Sequence, residues 1–369
     1  MRIGLDAKWF FEGPPSGRVV VRSLTRQFVD GHAAHEWVIF VDQAGLKRSG
    51  FPYSGPRVSV VPVWAGNNLL ANMTSLRSAA LAAGVDVLLC QNFAVPSRRL
   101  RQAVLVYDAI FATHPQFYTW IERAYFAPLP LLARWANRIC TVSNSEKARL
   151  VSLGIARPEM TDVMHCGVDG AFKPRDRLDR AQLESVTRRW GLPPAFALYV
   201  GRLNARKNIT NLLRAMARLG DEAPPLVIVG SKSWKGAPLH RTIQELGIGD
   251  RVHFTGALPF EDLVVVYALA KTFCFPSFEE GFGLPALEAM ASGVPVVVSD
   301  LPVMREVCGD AAVYVDPHEP ESIAEGLRRS LGGAGERERL CRAGLARATG
   351  FTWERAADEM LACLERAAS

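Results

Sequence analysis

No apolar run in the 369-residue chain approaches eighteen residues, so no membrane-spanning helix is expected. Its seven cysteines, Cys90, Cys140, Cys166, Cys274, Cys308, Cys341 and Cys363, are odd in number, scattered, and never spaced C-x-x-C. Neither a disulfide framework nor a structural zinc site fits that pattern, and the seven histidines do not cluster with the cysteines. The opening MRIGLDAKWF reads as a strand and not as a signal peptide. These absences point to a cytoplasmic protein with reduced thiols and without a metal.

Charge is not scarce but is unevenly placed. Residues 1–170 hold 18 Lys/Arg and 12 Asp/Glu, whereas 171–369 hold 25 of each, so the net +6 (18 − 12) belongs to the first half. A basic half facing an anionic membrane or acceptor is one reading, and ordinary surface charge is the other; no nucleic-acid partner is expected.

What the chain does contain is alternation. Short apolar runs at 2–5, 37–41, 58–61, 85–89, 103–107 and 139–142 are separated by helical stretches such as Leu69–Ala83, and a helix begins near Val19 after the Gly17 loop. After a charged, helical segment at 173–192, the pattern restarts at 197–200, 226–229, 252–254, 272–275 and 313–315, with a helix at Glu321–Leu331 and a last one opening at Phe351–Trp353. Such alternation predicts α/β architecture with two doubly wound parallel sheets. Length and a 49% hydrophobic content allow two domains, each with its own core.

The densest signal is residues 272–300. The run from Thr272 to Phe275 is a strand, Gly281 and Gly283 free the backbone, and Pro285 suits the first turn of a helix that Gly293 ends. A helix starting after a glycine loop turns unpaired N–H groups and a positive dipole end toward a phosphate. Two acids, Glu279 and Glu280, stand at that mouth. A carboxylate repels phosphate but accepts from hydroxyls, so a sugar joined to a diphosphate fits both features. Glu288, about one turn into the helix, is placed to grip another part of the same ligand. Arg202 and Lys207, in Gly201-Arg202-Leu-Asn-Ala-Arg206-Lys207-Asn208 after the 197–200 strand, are cations suited to a diphosphate.

The E-x7-E of Glu280 and Glu288 inside EEGFGLPALEAMASGVPVVVSD resembles the donor-binding signature of retaining family 4 glycosyltransferases, and weaker matches extend over most of the chain. The resemblance implies the GT-B fold, two Rossmann-like domains with a cleft between them. It places an acceptor-binding domain at 1–172, a nucleotide-sugar domain at 173–352, and a last helix, 353–369, crossing back to the first. Glu280 would contact the donor sugar and Glu288 the ribose. Arg202 and Lys207 would hold the phosphates, Leu258 would pack near the base, and Gly281, Phe282, Gly283 and Leu284 would form the donor loop. Gly17 lies in a segment similar to the family's opening G-x-G-R. Where the family commonly carries a His near the donor sugar before Asp108, this chain has Tyr107, which can hydrogen-bond a hydroxyl but cannot become a cation at pH 7; Tyr107, Asp108 and His114 are the sugar or acceptor contacts expected in this half.

The implied activity is retaining transfer of a hexose to a hydroxyl of a saccharide or polyprenyl-linked saccharide, with mannose from GDP-mannose foremost and UDP-linked donors open. No D-x-D occurs, which fits metal-independent departure of the diphosphate, with Glu280, Asp108, Arg202 and Lys207 as the catalytic set and no cofactor. Two other classes compete. Gly281-Phe-Gly283-Leu-Pro-Ala286 also satisfies the G-x-G-x-x-A of an NAD(P)-dependent oxidoreductase, and Tyr107 admits a nucleotide-sugar-binding module without turnover. Residues 116–138 join Trp120, Tyr125, Phe126 and Trp135 to Arg123, Arg134 and Arg138, downstream of Arg98, Arg99 and Arg101. That segment fits either a peripheral contact with the inner membrane or an aromatic stripe in the core, and Pro128 and Pro130 interrupt it.

Overall fold

The computed structural model describes residues 1–32, 34–230 and 239–369. The chain forms two compact units, Met1–Gly167 with Thr352–Ser369, and Val168–Phe351. The first boundary precedes the expected 172/173 because Phe172 is buried in the second unit, edge-on to Phe260 and Tyr267.

In the first unit, β1 (Arg2–Asp6), β2 (Glu36–Asp42), β3 (Val58–Val63), β4 (Val87–Gln91), β5 (Gln102–Val106), β6 (Arg138–Thr141) and β7 (Thr161–Val163) form one sheet. Their order is β3-β2-β1-β4-β5-β6-β7, with every ladder parallel. Strands β4 and β5 are buried throughout, as continuous apolar runs covered on both faces require. Strand β7 is the one the sequence hides. It is three residues long with Asp162 inside it, and that acid forms a two-pronged pair with Arg138 of β6 at 2.9 and 2.8 Å. The helix expected at Leu69–Ala83 is two helices, Asn68–Met73 and Ser75–Ala83, broken where Thr74 leaves the helical region at φ −123°, ψ −88°.

Helix Trp353–Ala368 belongs to this unit. Thr352 caps it by accepting from Arg355 N–H at 3.2 Å, and Trp353, Ala357, Met360 and Leu364 recur on its buried face, which packs on β4, β5, β6 and the helix Pro15–Gly31. Gly167 makes room for it: a Cβ there would lie 2.3 Å from the Trp353 nitrogen.

In the second unit, β8 (Ala197–Val200), β9 (Leu226–Val229), β10 (Val252–Gly256), β11 (Thr272–Phe275), β12 (Val296–Ser299) and β13 (Ala312–Val315) pair in parallel in the order β10-β9-β8-β11-β12-β13. The expected helix at 321–331 spans Pro320–Leu331, and a further one, Ala334–Ala348, follows it. The sequence hides the latter because its charges surround a narrow buried stripe of Leu340, Gly344 and Ala348. Lys232, expected at the same sheet end as the other loops, lies outside the described residues.

Each sheet reverses its strand order once, between β1 and β4 and between β8 and β11. Loops leaving the carboxyl ends of the strands at such a point diverge to opposite faces and leave room for a ligand.

Helix Pro320–Leu331 reaches the sheet through Gly326, where a Cβ would lie 2.4 Å from Val315 Cγ1 and 2.9 Å from Val297 Cγ1. Gly326→Val is therefore expected to cost about 1–3 kcal/mol of overpacking and to lower the thermal midpoint. Gly335→Ala, with nothing within 4 Å, leaves it unchanged or slightly higher.

Candidate functional site

In the second unit, two loops meet where the strand order reverses. The loop after β8 closes with a 3₁₀ turn, Ala205–Lys207, capped by Asn204 accepting from Lys207 N–H at 3.2 Å. Asn208 then takes the left-handed conformation (φ 56°, ψ 37°), and its side-chain amide donates to Pro276 O at 2.9 Å and Pro317 O at 2.6 Å. One asparagine thus ties the loop after β8 to those after β11 and β13. Phe278 N–H donates to Arg206 O at 2.9 Å and closes the lacing.

This architecture aims two cations at one acid. Lys207 Nζ donates to Glu280 Oε1 at 2.5 Å and lies 4.4 Å from the centre of the Phe275 ring. Arg206 Nη1 reaches Glu280 Oε2 at 3.2 Å and Glu279 O at 2.5 Å. Lys207 and Glu280 are 7% and 6% exposed, so the charges face one another with little water between them. Burial pushes the Glu280 carboxyl up, but Lys207 and then Arg206 outweigh it and hold the group below its ordinary value. Glu280 is ionised at neutral pH.

Arg202, expected beside Lys207 as a cation for a diphosphate, is exposed ahead of the 3₁₀ turn. The cation that joins Lys207 on Glu280 is Arg206, which the sequence reading did not single out. Beyond Glu280, Gly281 and Phe282 are buried, Gly283 adopts φ 110° ahead of helix Leu284–Ala291, and a Cβ on Gly283 would lie 2.2 Å from Met304 Cε. Both conformation and space demand glycine there. No side chain caps this helix; Pro285 has no N–H, and Ala286 and Leu287 N–H donate to Gly283 O at 3.0 and 3.3 Å, so what the helix start offers an anion is chiefly its positive dipole end.

Glu288 lies one turn further on, half-buried, and accepts from the Tyr267 hydroxyl at 2.7 Å. Burial raises its carboxyl to about 7; the Tyr267 hydrogen bond opposes the rise and the Asp169 carboxylate adds to it. The two acids of the E-x7-E pair are therefore driven in opposite directions. Tyr267 escaped the sequence reading because it sits among apolar residues in helix Phe260–Leu269 and looks like core. Leu258 is half-buried in the turn after β10.

The first unit has its own polar cluster at the carboxyl ends of β1, β4 and β5. Asp6 and Lys8, 1% and 2% exposed, pair at 2.6 Å, and Lys8 Nζ also donates to Asn72 Oδ1 at 2.7 Å. Gln91 N–H donates to Asp6 Oδ2 at 3.2 Å, its side-chain amide donates to Asp6 O at 3.2 Å, and its Oε1 accepts from the Tyr107 hydroxyl at 2.8 Å. The Tyr107 proton is thus committed inward, and its ring lies 5.8 Å from that of Trp9. Asp108 is half-buried and accepts from Ile110 N–H at 3.3 Å and the Tyr118 hydroxyl at 3.4 Å. His114 turns to its own neighbourhood, 3.0 Å from Thr113 Oγ1 and stacked with Phe117. Gly17 is not in a loop: the helix begins at Pro15, and a Cβ on Gly17 would lie 2.8 Å from the Trp9 ring.

Two parallel doubly wound units, each with its own sheet, are the architecture of the GT-B class. A model of the family described as glycosyl transferases group 1 matches residues 186–347. The O-antigen chain mannosyltransferase B of Escherichia coli is 33% identical over 274 residues, covering 71% of this chain and 70% of that protein. A D-inositol 3-phosphate glycosyltransferase of a Nocardioides species is 33% identical over 253 residues, 63% of this chain, which spans 54% of that relative's length. Among solved structures, WaaG, a glycosyltransferase of lipopolysaccharide biosynthesis, superposes with a TM-score of 0.76 over 99% of both chains at 16% identity, a likeness of fold. The chain belongs to the group 1 glycosyl transferases. The dinucleotide reading of Gly281–Ala286 is accordingly set aside. Among the described residues no helix is long and apolar enough to cross a membrane.

Lys207→Met leaves Glu280 buried with only Arg206 beside it and is expected to destabilise the chain by about 3 kcal/mol, while Lys207→Met/Glu280→Leu recovers part of that loss in chemical denaturation. Glu288 gives a pH signature. A carboxyl raised to about 7 in the fold contributes stability that is complete below its ordinary value of 4.5 and is lost as pH rises through about 7. The thermal midpoint of the wild type should fall from pH 6 to pH 8 more steeply than that of Glu288→Gln.

Proposed function

We propose that this glycosyltransferase moves a hexose from a nucleotide diphosphate sugar to a hydroxyl of a saccharide or lipid-linked saccharide, with retention at the anomeric carbon. The observation that carries the reading is Glu280, kept ionised by Lys207 and Arg206 at the mouth of the Gly281–Gly283 helix. A sugar whose hydroxyls donate to Glu280 brings its diphosphate beside the same two cations and the helix N-terminus. Negative charge developing on the departing diphosphate is then met by groups already in place, with Arg202 exposed at the same strand end. These cations do the work without a metal, in keeping with the absence of D-x-D. Glu288 accepts from the ribose, Leu258 lies toward the base, and the second unit is the donor half.

Attack of the acceptor from the face the diphosphate leaves accounts for retention better than a covalent step on Glu280, because a carboxylate held by two cations is a poor nucleophile. Asp108 and Tyr107 belong to the acceptor half. With its hydroxyl donating to Gln91 Oε1, the Tyr107 oxygen is left as an acceptor for a sugar hydroxyl. Mannose from GDP-mannose is the first donor to test, supported by the mannosyltransferase relative. Peripheral contact of the basic first unit with an anionic membrane is part of the same reading.

A thermal-shift panel of GDP-mannose, UDP-glucose, UDP-N-acetylglucosamine and dTDP-rhamnose should show one donor raising the midpoint well above the others. Glu280→Gln is expected to lower turnover of that donor at least about a hundredfold, and undiminished transfer would remove Glu280 from the mechanism. Donor hydrolysis by the purified wild type separates an enzyme from a module that only binds.

A further inference from the structure

At the opposite end of the first sheet from Tyr107 and Asp108 lies a cavity of 640 Å³ lined by Arg98, Arg101, Leu131, Arg134, Trp135 and Asn137, among others. Arg101 immediately precedes β5, and Asn137 immediately precedes β6. The cavity therefore opens at the amino ends of these strands, about 16 Å along β5 from the end where substrates of such sheets react.

Its floor is built and fixed. Gln102, fully buried, accepts from Val95 N–H at 2.8 Å and donates to Val95 O at 2.8 Å and Trp135 O at 3.0 Å, and its own N–H donates to Asn137 Oδ1 at 3.0 Å. One side chain thus locks the two loops that carry the arginines. The guanidinium of Arg98 lies 5.9 Å from the centre of the Trp135 ring.

What the cavity lacks is an acid. Residues 92–107 and 127–145 contain five arginines and no Asp or Glu. Arg138 among them is satisfied by Asp162, whereas Arg98, Arg101 and Arg134 form no ion pair among the described residues. Three guanidinium forks around one concavity suit an anion with several equivalent oxygens, as a phosphate group has and a single carboxylate has not. Leu131, 61% exposed beside them, offers an apolar contact to whatever carries the phosphate.

We propose that this cavity is a second anion site, distinct from the donor site, which takes a phosphate ester through Arg98, Arg101 and Arg134. The ester comes either from an anionic lipid headgroup or from a soluble phosphate. The lipid source would give the membrane contact proposed above a defined place, and only that arm rests on that reading.

The test compares the full chain with Arg98→Ala/Arg101→Ala/Arg134→Ala and with Arg26→Ala/Arg77→Ala/Arg157→Ala, which removes the same charge from elsewhere on the first unit. Binding to vesicles of phosphatidylglycerol in phosphatidylcholine is measured by co-sedimentation in about 0.15 M salt, where the screening length is about 8 Å; binding of glycerol phosphate is measured by calorimetry. A loss of at least about tenfold in vesicle binding, confined to the cavity variant, supports the site and assigns it to lipid. Selective loss of glycerol phosphate binding alone supports it and assigns it to a soluble ester. Equal loss in both variants, or none in either, overturns it. Donor hydrolysis should be unchanged in the cavity variant, so a failed outcome here leaves the glycosyl-transfer reading standing. Should that variant melt early, Arg134→Glu gives the same comparison with a single change.

Discussion

Two cations facing one buried carboxylate hold the second unit's site together. Lys207 and Arg206 come from the loop after β8, Glu280 from the loop after β11, and the two strands are neighbours only because the sheet reverses its order there. Buried charges are costly unless each finds its partner, so the pair holds both loops to one arrangement. Asn208 enforces it through the carbonyls of Pro276 and Pro317, and the glycines that follow Glu280 carry the chain into the helix Leu284–Ala291.

The first unit repeats the principle with other residues. Where β1 and β4 lie side by side, the buried Lys8–Asp6 pair supports Gln91, and Gln91 Oε1 accepts from the Tyr107 hydroxyl. The Tyr107 hydroxyl is thereby fixed on a buried polar scaffold, with its hydrogen directed to Gln91. In the second unit Glu280 is kept ionised by cations from the adjoining strand's loop, while burial raises the carboxyl of Glu288.

Glu280, Glu288, Lys207 and the glycines were legible because each carries a local signature: a spacing, a helix start, a strand end. Arg206 stood in the same motif as Arg202 and Lys207 and was not singled out, since a linear reading does not show that a 3₁₀ turn aims 206 and 207 together at Glu280. Tyr267 was hidden by apolar neighbours, β7 by its brevity and its acid, and the helix at 334–348 by its charges. Gly17, read as a loop residue, owes its size to the ring of Trp9, a contact within one strand-to-helix connection that only packing reveals.

The sequence alone determined the alternation of strand and helix, and with it two parallel sheets, because fully buried strands must be apolar throughout and their crossovers amphipathic. It also determined the chemical kind of the loop after β11, since glutamate, glycine and proline in that order admit few backbones. Which cation meets which acid, the inward proton of Tyr107, and the gathering of three arginines at the far edge of the first sheet were decided by tertiary structure. Those pairings join residues brought together by strand order, and strand order is a property of the packed sheet rather than of any local stretch of chain.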